Sequence, residues 1–379
     1  MKHDVKIVIG ANYGDEGKGL MSRFFTKQFI SEGKHPITVF HNGTAQRGHT
    51  ADYEDGSRHV FHNFGAGTKE GGATYYAASF LVHPMDFMRE VKELGYVPEV
   101  YCDPNCLVVT PLDMLADHII EDYIAAVCGV REFGSCCYGS WSATDRAIQR
   151  PDIAYSVADF AQGFFDLKMI HLREWLGERL EQFGVDIELV PEWKEYIDVS
   201  SERYTNMCRH FLSDITDFLR YAKSRSFDQI WGQYDSLVFE GAQGLLLDKD
   251  MDSDWTTTSS TGLKNPVRLL HDYTSFDAEV CYVSRSYVTR HGSGPLLREV
   301  PKDTIGERIV DRTNRYNPFQ GNLRYAKIYL PDVFQAIEDD FSTAERWQFH
   351  QTFALTHLNE RDISGGDYRS HSPCEVVKA

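Results

Sequence analysis

Ten residues near the start of the chain, Gly10-Ala-Asn-Tyr-Gly14-Asp15-Glu16-Gly17-Lys18-Gly19, bring glycines, two carboxylates and a lysine together. Glycines let backbone amides approach phosphate oxygens, a following helix N-terminus adds partial positive charge, and Lys18 supplies a full one. The segment therefore reads as a phosphate cradle. It departs from the common phosphate loop at two points: Asn12 stands where the first glycine belongs, and Gly19 replaces the Ser or Thr that ligates magnesium. A metal would need another ligand, and Asp15 is the carboxylate at hand.

Such a loop works only between a strand and a helix. Val5-Lys6-Ile7-Val8-Ile9 is a short apolar run that predicts a buried strand ending at Gly10. From Gly17 onward Leu20, Met21, Phe24, Phe25 and Phe29 recur at helical spacing and predict one apolar face. Ile37–Phe40 reads as a second strand. Asp55-Gly56 reads as the turn of a hairpin returning through Val60-Phe61-His62. Pro84 to Gly95 predicts a helix that starts at proline and stops at glycine. Apolar spacing over about 155–230 suggests a mainly helical insertion, and strand signals return at 236–239, 280–283 and 352–356. The expected architecture is one α/β domain over 1–379: a large, mostly parallel central sheet with helices on both faces and a phosphate-loop-like start.

Composition narrows the partners. With 39 Lys+Arg against 56 Asp+Glu the net charge is −17, which argues against a nucleic-acid polymer but leaves room for a small phosphorylated ligand. No apolar run approaches the roughly 20 residues of a membrane span. The 8 cysteines have no paired CxxC spacing, so a reducing cytoplasm is expected, the host's if the chain is viral.

Gly14-Asp-Glu-Gly-Lys-Gly19 is similar to the signature of adenylosuccinate synthetases. Gly48-His49-Thr50 resembles that family's second signature. In order along the chain, Val60-Phe-His62, Met88-Arg-Glu-Val-Lys-Glu-Leu94, Phe239-Glu-Gly-Ala-Gln-Gly244 with Leu247-Asp248, and Thr258-Ser-Ser260 resemble further family stretches. Thr289-Arg-His-Gly-Ser-Gly-Pro295 resembles its Thr-Arg-Val-Gly-Ala-Gly-Pro run. The resemblance extends to about residue 360.

It implies a ligase that joins L-aspartate to the 6-position of a purine nucleoside monophosphate, IMP first, at the expense of a nucleoside triphosphate. Removing the N1 proton makes the 6-oxygen nucleophilic, and that oxygen takes up the γ-phosphoryl group before the amine displaces it. On this resemblance Asp15 is general base and Mg2+ ligand, the Gly48 carbonyl completes the metal shell, His49 is general acid on phosphate oxygens, and Lys18 stabilises the transferring charge. Gly14, Glu16, Gly17, Lys18, Gly19, Gly48, Thr50, Arg324, His357 and Asn359 are expected around the donor nucleotide. Asp15, Gln46, Ser135, Cys136, Arg150, Gln243 and Thr258 are expected around the acceptor, with Arg150 reaching a neighbouring subunit's nucleotide phosphate in a homodimer with shared sites.

Four departures open alternatives. The arginine-rich loop that grips aspartate corresponds to Pro318–Lys327, where only Arg324 survives. The guanine motif Thr-Lys-x-Asp reads Thr356-His357-Leu358-Asn359, which suits ATP or dATP at least as well as GTP. Gln46-Arg47 replaces Asn-Ala, and the family's long C-terminal region with its second guanine-contacting segment is expected to be absent or replaced. A shortened viral branch, the 2-aminoadenylosuccinate synthetases, uses dGMP, but those enzymes carry serine where Asp15 stands. A non-catalytic nucleotide-binding regulator would not need Asp15, Lys18 and His49 together.

Overall fold

The computed structural model describes residues 2–129, 135–306, 308, 309, 316, 320–344 and 348–379. Its centre is a ten-stranded sheet in the order β14-β13-β12-β9-β1-β8-β2-β5-β6-β7. The strands are β1 (His3–Gly10), β2 (Ile37–Phe40), β5 (Ala73–Tyr76), β6 (Val100–Cys102), β7 (Lys223–Ser224), β8 (Ser236–Glu240), β9 (Phe276–Arg285), β12 (Phe349–Thr356), β13 (Tyr368–Arg369) and β14 (Val377–Lys378). Every neighbouring pair runs parallel except β13 with β14. Two antiparallel ribbons stand outside the sheet: β3 (His49–Asp52) with β4 (Arg58–Phe61), and β10 (Val288–Arg290) with β11 (Arg324–Ala326).

The strand period of two distributes β1 between two cores. Val5, Ile7 and Ile9 enter one cluster with Leu237, Phe239, Val280 and Tyr282. Val8 faces the other way and meets Met21, Phe25 and Phe29 of the helix Lys18–Ser31. Burying each such phenylalanine contributes about 1.5–3 kcal/mol. The helix's apolar stripe thus clamps the loop that precedes it onto the sheet.

The remaining local readings are also visible. Gly56 (φ 81°) turns the hairpin, with Ser57 N–H donating to Asp55 Oδ1 at 2.8 Å. Pro84 opens the helix Pro84–Leu94 and Gly95 (φ 79°) closes it. Between β6 and β7 the chain is mainly helical, but from Pro111 onward. The helices Pro111–Cys128 and Ser140–Gln149 precede the interval suggested by periodicity. Pro111–Cys128 is buried over most of the stretch from Pro111 to Glu121, Asp113, Asp117 and Glu121 included, so it lacks the clean polar face that marks an amphipathic helix. A third core joins it to β5, β6 and the helix Glu202–Tyr221.

Because the neighbouring strands run parallel, the segments that follow β1, β2, β8, β9 and β12 all emerge at one edge of the sheet. They hold residues 11–17, 41–48, 241–244, 286–287 and 357–360, and the site is built from them.

Candidate active site

A cavity of about 930 Å³ opens at this edge. Its lining includes Gly14 to Gly19, Gln46, Gly48, His49, Thr50, Ser135, Cys136, Gln243, Thr258, His357 and Asn359. The folded chain therefore collects most of the expected residues in one space. Gly134 and Pro318 lie outside the described residues.

The phosphate loop is braced from inside. Glu16 is 2% exposed; its Oε1 accepts from the Asn12 N–H (3.1 Å) and the Gly14 N–H (2.7 Å), and its Oε2 pairs with Lys18 Nζ (2.7 Å). The Glu16 side chain thus braces the loop and carries Lys18 into place. Gly17 (φ 94°) enters the helix with no side-chain cap, so the first-turn N–H groups stay available to an anion. The missing magnesium hydroxyl has a steric cause. A Cβ on Gly19 would lie 2.9 Å from the Thr50 carbonyl oxygen and 3.0 Å from His49 Cβ. Across the loop, Thr356 Oγ1 donates to the Glu16 carbonyl at 2.6 Å, tying the end of β12 to it.

Asp15 adopts a left-handed backbone (φ 62°), uncommon outside glycine. Arg285 Nε donates to its carbonyl, and His291 Nε2 lies 2.8 Å from its Oδ2. Burial by itself would raise the Asp15 carboxyl, but the His291 hydrogen bond and the charges of His291, Arg285 and Lys18 hold it well below the usual carboxylate range.

His49 is anchored at the other ring edge. Its Nδ1 lies 2.7 Å from Glu240 Oε1, and Arg47 Nη2 pairs with the same carboxylate oxygen. Arg47 also donates to the Glu240 carbonyl at 3.1 Å, and Glu240 Oε2 accepts from the Ala66 N–H at 3.0 Å. His49 Nδ1 also lies 2.7 Å from Arg47 Nη2, so the nitrogen sits between a group that only accepts and one that only donates, and the tautomer decides which of the two it serves. Burial, reinforced by the Arg47 charge, pushes His49 down to about 4, so the imidazole is neutral in the free site. Glu240 stays below its ordinary range, with Arg47 and His49 overcoming its burial.

Glu240, Arg47, Arg285 and His291 carry this geometry, and residue spacing assigned none of them a role. The available signal was a charged residue closing an apolar strand, as Glu240 and Arg285 do, since unpaired charges are almost never buried.

Other expectations land elsewhere. Arg324 does not line the cavity. It pairs with Glu299 and donates from Nη1 to the carbonyls of Gly292 (3.1 Å) and Gly294 (2.8 Å). Its fork is occupied because β11 lies alongside the turn that follows β10. Arg150 also lies outside its own chain's cavity, on Asp152 (3.0 Å) and Glu178 (2.5 Å). Gln243 (φ 62°) accepts from Ser259 Oγ at 3.1 Å. His357 (φ 57°) meets Thr356 Oγ1 at 2.8 Å, and burial holds it far below its ordinary range. The C-terminal segment reaches the same space: Ser370, Ser372 and Pro373 line it beside Asn359.

No group of three or more His, Cys, Asp or Glu among the described residues could hold a metal by itself. The donor set of one carboxylate, Asp15, and nearby backbone carbonyls fits magnesium, which takes one or two carboxylates and completes its shell with phosphates and water. None of the described helices is long and apolar enough to cross a membrane.

The model of the adenylosuccinate synthetase family matches residues 7–325. The adenylosuccinate synthetase of Psychrobacter arcticus is 26% identical over 336 residues, covering 84% of this chain and 70% of that protein. Among solved structures, the fully ligated adenylosuccinate synthetase of Plasmodium falciparum superposes with a TM-score of 0.69 at 17% identity, covering 96% of this chain and 78% of that one. The succinoaminodeoxyadenylate synthetase of cyanophage S-2L, bound to dGMP and dATP, superposes with a TM-score of 0.63 at 14% identity, covering 100% and 96%. These two likenesses bear on the fold, while the family match spans most of the sheet and the whole phosphate loop. The chain belongs to the adenylosuccinate synthetase family, carbon–nitrogen ligases that join L-aspartate to the 6-position of a purine nucleotide at the expense of a nucleoside triphosphate.

Proposed function

We propose that this chain condenses IMP with L-aspartate, using Asp15, Lys18 and His49 as its catalytic residues. The observation that carries this reading is the convergence of Asp15, Lys18 and His49 in one cavity. Asp15 takes the N1 proton of the 6-oxopurine, and the 6-oxygen then attacks the γ-phosphorus. Lys18 faces the transferring charge. The Arg47–Glu240 pair fixes the ring of His49, and an arriving phosphate offsets the Arg47 charge and favours the imidazolium that donates to phosphate oxygens. Asp15 and the Gly48 carbonyl would hold Mg2+, which when bound neutralises phosphate charge. Aspartate's amine then displaces phosphate at C6.

The donor phosphates belong with Gly14, Gly17, Gly19 and Thr50, and the donor base with His357 and Asn359. The acceptor belongs with Gln46, Ser135, Cys136, Gln243 and Thr258. Arg150, partly exposed at 30%, suits a homodimer in which it serves the neighbour's acceptor phosphate. All eight cysteines are free thiols, which fits a cytoplasmic enzyme.

An adenine donor is favoured by one observation: Asn359 is the amide at the position of the expected carboxylate, and it lines the cavity. An amide offers one acceptor and one donor, matching an adenine edge better than the paired donors of guanine. The cyanophage protein binds dGMP and dATP; here the retained Asp15 supports a purine acceptor without a 2-amino group.

A turnover screen tests the reading: IMP, GMP and dGMP against GTP, ATP and dATP with aspartate, following phosphate release and product mass. IMP with an adenine nucleotide should be fastest, and Asp15→Asn should lose 10²–10⁴ in rate. Near-normal turnover of Asp15→Asn would remove Asp15 from the mechanism.

A further inference from the structure

Four consecutive residues where β9 ends, Ser284 to Tyr287, touch both halves of the cavity. Two of them reach the phosphate loop: Ser284 Oγ accepts from Asn12 Nδ2 at 2.9 Å, and Arg285 Nε donates to the Asp15 carbonyl. The next two reach the segment after β12, where Asn359 lies. Ser286 Oγ donates to the His357 carbonyl at 3.1 Å, and Tyr287 Oη donates to Glu360 Oε2 at 2.5 Å. The two halves are joined, because the same Tyr287 hydroxyl accepts from Arg285 Nη1 at 3.0 Å. Three hydrogen bonds in series therefore run from the Glu360 carboxylate, which lines the cavity beside Asn359, to the main chain of Asp15. Both linking side chains are packed in place. Arg285 is 6% exposed and Tyr287 1%, its ring against Ile305 and Ile309. At the far end the Asp15 backbone is left-handed (φ 62°). A residue other than glycine keeps that conformation only where its surroundings hold it.

We propose that Arg285 and Tyr287 are positioning residues that couple the donor-base end of the cavity to Asp15, so that a donor base seated beside Asn359 tightens the hold on the acceptor purine. The inference rests on the proposed role of Asp15 as the N1 base and on the donor base lying beside Asn359. Glu360 is only partly buried, so its carboxylate keeps some freedom until a base covers it. A base laid against it fixes the carboxylate, the carboxylate fixes the Tyr287 hydroxyl, and the hydroxyl fixes the Arg285 fork. That fork holds the Asp15 carbonyl and so sets the angle at which the side chain of the same residue meets the purine N1–H. The relay uses the main-chain oxygen of Asp15 and leaves its carboxylate to the N1 proton and the metal. Coupling of this kind is reciprocal: the donor base improves acceptor affinity by the factor by which the acceptor improves that of the donor. A triphosphate without a base fills the phosphate cradle but has nothing to lay against Glu360, so it lacks the effect.

The test measures how far a bound donor tightens acceptor binding. IMP, or whichever acceptor turnover selects, is titrated by calorimetry with Mg2+ present. One series contains saturating inorganic tripolyphosphate; the other contains the β,γ-imido analogue of ATP or GTP, whichever binds more tightly. The wild type should bind the acceptor at least about fivefold tighter with the analogue than with tripolyphosphate, the lower end of common coupling factors. Tyr287→Phe keeps the buried ring and cuts the relay, and should bring that ratio below about twofold. Arg285→Lys keeps the charge, but one ammonium cannot bridge a carbonyl and a phenol as a planar fork does. Its ratio should fall likewise, and its kcat by about tenfold, the scale of a misplaced base. The double variant should lose no more of the ratio than Arg285→Lys alone, since both cuts lie on one path. Each variant is first shown to be folded by its thermal transition. A merely structural pair would weaken acceptor binding alike with both ligands and leave the ratio unchanged, and that pattern overturns the proposal. So does a wild-type ratio below about twofold, or losses that add in the double variant. Asp15→Asn separates the two levels. If it turns over normally, the base assignment fails and this inference with it; if it is dead while the wild type lacks the ratio, only the coupling fails.

Discussion

Replacing Glu240 by glutamine tests the electrostatic scaffold behind His49. Glu240 is 0% exposed, and its carboxylate receives Arg47, His49 and the Ala66 N–H. The Arg47 side chain is 1% exposed, so the substitution leaves a buried cation without its counter-charge. Breaking one partner of such a pair costs about 3–5 kcal/mol. Three side-chain contacts remain to Arg47: the Glu240 carbonyl at 3.1 Å, His49 Nδ1 at 2.7 Å and the Phe40 ring at 3.8 Å. They offset roughly 1–2 kcal/mol, so the expected net loss is about 3 kcal/mol. The glutamine amide must also turn its NH₂ either toward the Ala66 N–H or toward the Arg47–His49 side; the second orientation releases the ring of His49, and turnover should then fall about a hundredfold. Urea unfolding at pH 7.5 with an unchanged m-value reads the first effect, and phosphate release reads the second. The double variant Arg47→Met with Glu240→Gln removes the stranded charge and should regain most of the stability but little of the turnover. A loss below about 1 kcal/mol in the single variant, or strictly additive losses in the double, would refute the buried-pair argument.

Arg150→Ala should raise the acceptor KM more than the donor KM, and mixing it with Asp15→Asn subunits should restore activity if the arginine acts in trans; no recovery after subunit exchange counts against a shared site. ATP or dATP should serve at least as well as GTP, and Asn359→Asp should shift the ATP/GTP ratio about tenfold toward GTP, as a single unpaired donor predicts; a wild-type preference for GTP above about tenfold sinks this. His41, 0% exposed, is pushed down to about 3 by burial and then by the Arg47 charge. Its folded value lies below the unfolded one near 6.5, so the unfolded chain takes the proton first and stability falls as pH drops from 6.5 toward 3. Between pH 7 and 5 this histidine should cost about 2 kcal/mol, and His41→Leu should remove that part of the acid sensitivity in denaturant titrations.

What the sequence determined by itself is local. An apolar run ending in Gly10, a glycine-rich turn and a helical apolar stripe could be read without coordinates, because strand and helix periods depend on neighbours a few residues apart. The same holds for the Asp55-Gly56 turn and the Pro84 helix. The glycine loop with Asp15 and Lys18 also pointed to a phosphate cradle, because its residues are neighbours in sequence, while His49 came only with the resemblance to a known family. The tertiary structure alone decided the partners of those groups. Glu240 reaches His49 and Arg47 because β8 lies between β1 and β2. His291 and Arg285 reach Asp15 because β9 flanks β1 on the other side. Arg324, which looks in sequence like the surviving ligand of a carboxylate loop, turns out to clamp a turn, because the pairing of β10 with β11 brings it to the Gly292 and Gly294 carbonyls before any ligand arrives. A parallel sheet gathers the carboxyl ends of distant strands at one edge, and that convergence follows from strand order, which no local period encodes.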